Sequence, residues 1–178
     1  MRFGDRIAIV TGGGSGMGKE TAARFVAEGG SVVINGRNAA KAEAAAREID
    51  PTGTRVLVHA GDVSVPATGE ALVKSALERF GRLDVLFNNA GVFAPKPFLD
   101  VIETEYDRFL DTILKGTFFT AQAAAKAMKA AGRGGEPALC GACRRSARRR
   151  LRPIRRRRRV SMRWSRISRS SWRPTKSA

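Results

Sequence analysis

Along the chain, short apolar runs alternate with longer stretches in which apolar residues recur every three or four positions. Ile7-Ala8-Ile9-Val10 is apolar throughout and runs into glycines, as a parallel strand buried on both faces does. In residues 17–28, Met17, Thr21, Phe25 and Val26 fall at helical spacing, and Gly29-Gly30 ends the pattern as a C-cap pair would. The unit then repeats. Val32-Val33-Ile34 predicts a second strand, Asn38 is placed to N-cap a helix over 39–49, and Asp50-Pro51-Thr52-Gly53 predicts a turn. Residues 55–59 predict strand three, 68–80 helix three, and Val85-Leu86-Phe87 strand four. Apolar strands alternating with helices in this way imply an α/β fold, a doubly wound parallel sheet with right-handed crossovers.

After a loop around Pro95-Lys96-Pro97, residues 103–131 predict a fourth helical stretch. Its Phe109, Ile113, Phe118, Phe119 and Met128 lie on more than one side, so it is expected to pack against more than its own sheet. Beyond residue 135 the periodicity stops. The pattern divides the chain into a folded region, 1–133, and a tail, 134–178.

Charge sharpens that boundary. Of the net +17, residues 136–178 carry fifteen arginines and Lys176 against Glu136 alone, a net of +15 that leaves +2 for the rest. Arginine-rich, serine-rich sequence cannot bury enough apolar surface to offset the entropy of ordering, so the tail is expected to stay disordered. Clustered arginines also bind phosphates non-specifically, and Trp164 and Trp172 can stack on bases, so a nucleic-acid arm is one reading of it. Cys140 and Cys143, with His59 as the only histidine, cannot close a zinc site in one chain, and no metal is expected. No apolar run reaches the ~20 residues of a membrane helix, and no signal-peptide pattern opens the chain. A soluble, cytoplasmic protein without a membrane partner is the expectation.

The chemistry is concentrated where strands end. Thr11-Gly12-Gly13-Gly14-Ser15-Gly16-Met17-Gly18 joins strand one to helix one. Glycines there allow a sharp turn and close approach to a pyrophosphate, and the helix start offers free N–H groups and a positive dipole end. Asp62-Val63 follows strand three, and Asn88-Asn89-Ala90-Gly91 follows strand four.

In order and spacing these three motifs resemble the short-chain dehydrogenase/reductase family over residues 1–133. The resemblance implies a Rossmann sheet with strand order 3-2-1-4, incomplete here, and an NAD(P)-dependent oxidoreductase that moves a hydride between NADP(H) and a small alcohol or carbonyl substrate. It also implies a family that is usually homo-oligomeric. Gly12, Ser15, Gly16, Met17 and Gly18 would hold the cofactor phosphates and adjacent ribose. Asp62 would accept from the adenine amine, Val63 would pack on the adenine, and Asn89, Ala90 and Gly91 would line the nucleotide from the other side. At the end of strand two, NAD-preferring relatives carry an acid, whereas this chain has Asn35-Gly36-Arg37-Asn38. Arg37 can pair with a 2′-phosphate, which favours NADP; NAD stays open if Arg37 is only a solvated residue at a helix start.

The family's catalytic groups are a serine and a tyrosine with a lysine four residues on. The sole tyrosine here, Tyr106, is followed four residues later by Leu110 and precedes the fifth strand, where the serine belongs. It reads as a packing residue, and no catalytic residue is assigned. The asparagine that the family usually places in helix four aligns with Ile113, and no asparagine occurs after Asn89. The expected protein is thus catalytically incomplete, with a non-catalytic dinucleotide-binding protein as the alternative. Arginine codons read one position off encode small residues, so a reading-frame shift near Gly134-Gly135 would account for the tail.

Overall fold

The computed structural model describes residues 1–132 and the backbone of the strand Glu136–Leu139. Its sheet is parallel and runs β3-β2-β1-β4-β5. The strands are β1 (Ile7–Val10), β2 (Ser31–Gly36), β3 (Val56–Ala60), β4 (Val85–Asn88) and β5 (Glu136–Leu139). Because successive strand residues face opposite sides, one sequence run feeds two cores. Ala8 and Val10 of β1 join Val32, Ile34 and Phe25 on one side, while Ile9 joins Val33, Leu72, Leu86 and Met128 on the other. The first core is covered by α1 (Gly16–Ala27) and α2 (Ala39–Ile49), the second by α3 (Pro66–Phe80) and α5 (Gly116–Ala130). This is the three-layer solution that strands apolar on both faces require.

The helix ends follow local chemistry. Asn38 caps α2 as expected, its Oδ1 accepting from Lys41 N at 2.9 Å. α3 starts at Pro66 rather than residue 68, because proline at the first helical position loses no hydrogen bond. It stops at Gly81, whose φ of +73° is left-handed.

One expectation is refined and two require correction. The helical stretch expected over 103–131 is present but not uniform, which periodicity did not anticipate: α4 (Glu103–Phe109) passes through a π-helical turn, Leu110–Lys115, into α5. The apolar side chains of this stretch also do not all find partners among the described residues. The buried stripe of α5 has a four-residue spacing, the small residues Gly116, Thr120 and Ala124 followed by Met128, while Ile113, Phe118 and Phe119 are substantially exposed. The reason is close packing of α5 on α3, where a Cβ on Gly69 would lie 3.0 Å from Thr120 Cα; bulk cannot enter that seam. Tyr106, expected to pack, is 56% exposed on α4.

The sheet also has one strand beyond the expected order 3-2-1-4. β5 pairs with β4 in parallel, from Val85 opposite Glu136 to Asn88 opposite Leu139, and extends the sheet past the sequence-derived boundary at residue 133. Pro137 lacks a donor, a defect that an outer strand tolerates. A four-residue strand holding a proline carries no alternation to read.

Candidate cofactor-binding site

The C-terminal ends of β1, β2, β3 and β4 open on one side of the sheet, and the chain reverses its winding between β1 and β4. A crevice at such a switch point is where doubly wound folds bind ligands.

The glycine turn forms its floor. Gly12 has φ +67°, and a Cβ there would lie 3.0 Å from Ala90 Cα, so both conformation and space call for glycine. Gly18, in the first turn of α1, is packed against the turn from below: its Cβ would overlap the Gly12 carbonyl oxygen and come 2.5 Å from Asn89 Nδ2. Gly13 N donates to Asn35 O at 2.9 Å, fastening the turn to β2. Ser15 occupies the N-cap of α1 in extended conformation, yet its side chain makes no capping bond. The hydroxyl and the N–H groups of the first turn, which have no partner within the helix, remain available to an anion.

The β4 side is braced by Thr11. Its Oγ1 accepts from Asn89 N and Ala90 N, both at 3.0 Å, and Asn89 Nδ2 returns bonds to Thr11 O at 3.1 Å and Gly12 O at 3.3 Å. The amide of Asn89 is therefore spent on holding the glycine turn. On the β3 side, buried Asn35 donates through Nδ2 to His59 O at 3.1 Å and Gly61 O at 3.0 Å, which fixes the path into Asp62.

Asp62 Oδ1 accepts from Ser64 N at 2.9 Å. Burial raises its pKa, but the hydrogen bonds from Ser64 and the charges of Arg37 and Arg108 outweigh that and hold the carboxyl below its ordinary range. It is thus ionised at neutral pH, with Ser64 as its hydrogen-bonding neighbour.

Of the residues expected from sequence, Gly12, Ser15, Arg37, Asp62, Val63, Ala90 and Gly91 line one cleft of about 570 Å³. Met17 and Asn89 line a second space of about 390 Å³ that shares Gly12, Ser15, Ala90 and Gly91 with the first. Gly16 and Gly18 line neither; Gly18 lies beneath the turn, and Gly16, at φ +53°, has open space around it. The cleft also uses Asn38, Lys41 and Thr112, which sequence reasoning missed. Lys41 lies in the first turn of α2, four residues after Arg37, a signal that was available. Thr112 sits in the π-helical turn, which no periodicity predicts.

Helix-start donors, an ionised carboxylate and a strand end of small residues meet at the switch point of a doubly wound parallel sheet, and the fold is Rossmann-like. A sequence profile described as short chain dehydrogenase matches residues 6–136, and the chain belongs to that family. The family binds NAD(P) cofactors. The chain is 40% identical over 123 residues to the (2S)-[(R)-hydroxy(phenyl)methyl]succinyl-CoA dehydrogenase subunit BbsD of Thauera aromatica, covering 69% of this chain and 50% of that protein. It is likewise 40% identical over 135 residues to the L-rhamnose 1-dehydrogenase (NAD(P)(+)) of Azotobacter vinelandii, covering 74% and 53%. A crystal structure of a short chain dehydrogenase from Bacillus anthracis superposes with a TM-score of 0.73 at 35% identity, over 76% of this chain and 56% of that one. The chain thus spans about half the length of the relatives it matches. Among the described residues, no helix is long and apolar enough to cross a membrane.

Proposed function

We propose that this chain is an NADP(H)-binding oxidoreductase domain that holds its cofactor but is catalytically incomplete. The observation that carries the reading is the convergence of Gly12, Ser15, Arg37, Asp62, Val63, Ala90 and Gly91 on one cleft. Ser15 and the first-turn N–H groups of Gly16, Met17 and Gly18 receive the phosphates. Asp62 Oδ2 accepts from the adenine amine, Val63 packs on the ring, and Ala90 and Gly91 let the backbone approach the ribose. Arg37, with Asn38 and Lys41 on the same wall, receives a 2′-phosphate, and the end of β2 carries no carboxylate. When bound, the nicotinamide supplies or accepts the hydride.

Proton transfer is the part without a group to perform it. Tyr106 has Leu110 four residues on, where the family pattern has a lysine, and it lines none of the clefts described above. Titrating the full chain with NADPH and NADH, followed by nicotinamide fluorescence, should give saturable binding that favours NADPH. Assays with small alcohols and carbonyls should give no turnover; hydride transfer by protein of verified mass would overturn the incompleteness, and equal affinity for the two cofactors would overturn the choice of NADP.

The run beyond residue 139, including Cys140, Cys143, Trp164 and Trp172, lies outside the described residues. Its composition supports a shifted reading frame, which resequencing the gene around Gly134 and Gly135 tests directly: an intact single frame in independent isolates removes it. The +15 charge of residues 136–178 favours a second reading, non-specific nucleic-acid binding by the tail. Retention of RNA that survives deletion of residues 140–178 would count against that reading.

A further inference from the structure

Arg37 has a counterpart on the other wall of the cleft. Arg108, on α4, and Arg37, at the end of β2, reach one cavity of about 260 Å³, whose remaining walls are residues 91–94, Glu105 and Phe109. This cavity adjoins the main cleft and shares Arg37, Gly91 and Val92 with it. Both arginines are exposed, and among the described residues neither forms a salt bridge.

The one carboxylate on the cavity wall is already engaged. Glu105 accepts from Lys96 Nζ at 2.9 Å and from Ile102 N at 3.2 Å, so Lys96 rather than an arginine balances its charge. The other nearby anion is Asp62, whose ionised form both arginines favour through space without touching it. Two guanidiniums that converge on one space with no carboxylate between them are arranged for a multiply charged anion, which can accept from both forks at once. On the NADP reading, with Arg37 at the 2′-phosphate, that phosphate is the group of the cofactor that meets this description.

We propose that Arg108 is a second coenzyme-specificity residue, holding the 2′-phosphate of NADP from the α4 side while Arg37 holds it from the β2 side. This rests on the NADP reading above and adds to it a residue that lies forty-six positions beyond Asp62, on an element outside the strand-end motifs.

The test is calorimetric titration of the full chain and of Arg37→Gln, Arg108→Gln and Arg108→Lys with 2′,5′-ADP and with 5′-AMP, which differ by the phosphate in question. For Arg108→Gln, 2′,5′-ADP affinity should fall about tenfold while 5′-AMP stays within about twofold, and Arg108→Lys should recover part of the loss. If Arg37→Gln weakens 2′,5′-ADP and Arg108→Gln does not, the role of Arg108 is overturned and the NADP reading stands. If the unmodified chain binds both nucleotides equally, the NADP reading fails and the proposal with it. An equal loss for both nucleotides in Arg108→Gln would place its action on the adenine or Asp62, and would also overturn the proposal.

Discussion

Thr11 and Asn89, at the ends of neighbouring strands, lock each other in place: Asn89 N donates to Thr11 Oγ1 at 3.0 Å, and Asn89 Nδ2 donates to Thr11 O at 3.1 Å. Thr11 is buried, and its hydroxyl also takes Ala90 N at 3.0 Å. One side chain thus satisfies two backbone donors at the point where the glycine turn meets the β4 end, so the width of the cleft depends on it.

Thr11→Val keeps the shape and removes the acceptor. Leaving two partly buried N–H groups unsatisfied costs roughly 1–3 kcal/mol, and urea unfolding should read a loss in that range. NADPH affinity should fall as well, because Ala90 and Gly91 are released from their position. Thr11→Ser retains the oxygen and should recover most of both; a Thr11→Val protein as stable and as tightly binding as the parent would show that the brace is dispensable.

Gly18→Ala adds a methyl group into the Gly12 carbonyl and toward Asn89 Nδ2. Alanine normally favours a helix over glycine by up to about 1 kcal/mol, so intrinsic propensity predicts stabilisation and packing predicts the reverse. The overlap involves backbone, which has nowhere to move, and packing should win. The expected result is a lower thermal midpoint with weakened NADPH binding. Gly16→Ala provides the contrast: the space around it is open, its φ of +53° imposes only local strain, and its loss should be smaller.

The pH dependence of stability should carry a contribution from Asp84. Its Oδ2 accepts from Ile7 N and from Arg82 Nε, at 2.9 and 2.8 Å, tying the start of β1 to the approach to β4. Burial raises its pKa, but these bonds and the Arg82 charge outweigh that and lower it from 3.8. A carboxylate whose folded pKa is depressed contributes stability above the unfolded value and loses it as pH falls through the folded one. Acid titration should therefore show a loss below about pH 4 that is absent from Asp84→Asn, whose curve should be lower and flatter. Superimposable curves would contradict the assignment.

What could be read in advance follows from which signals are local. The four-strand alternation and the caps at Asn38 and Gly29 depend on residues within a few positions of each other, and the fold realises them. So do the three strand-end motifs, because each is a short string at a fixed place. The π-helical turn at Leu110–Lys115 and the exposure of Phe118 depend on how closely α5 meets α3, which is decided by Gly69 and Thr120 far apart in sequence. β5 was illegible for another reason: Glu136-Pro137-Ala138-Leu139 pairs through its backbone with β4 and has no apolar alternation. The two roles of Asn89, motif member and brace, became separable only once its Nδ2 was seen directed at Thr11 and Gly12.

Asp62 sets two effects against each other, and its substitutions should separate them. Oδ1 is held by Ser64 N at 2.9 Å, and the lone pairs that Ser64 does not use are the ones proposed to meet the adenine amine. Asp62→Ala removes both acceptors and should weaken NADPH and NADH alike, by about tenfold for one lost charged hydrogen bond. Asp62→Asn keeps an acceptor toward Ser64 but removes the negative charge that shares Arg37 and Arg108 with a bound 2′-phosphate. NADH should then bind more weakly than to the parent, while NADPH gains back part of its loss through relief of repulsion, so the preference for NADPH rises. Because hydrogen bonding and the two arginines hold the Asp62 carboxyl below 3.8, it stays ionised across the neutral range. Parent affinity for NADH should therefore be flat from about pH 5 to 8. A preference for NADPH that falls in Asp62→Asn would mean that the carboxylate orients the arginines rather than competing for them.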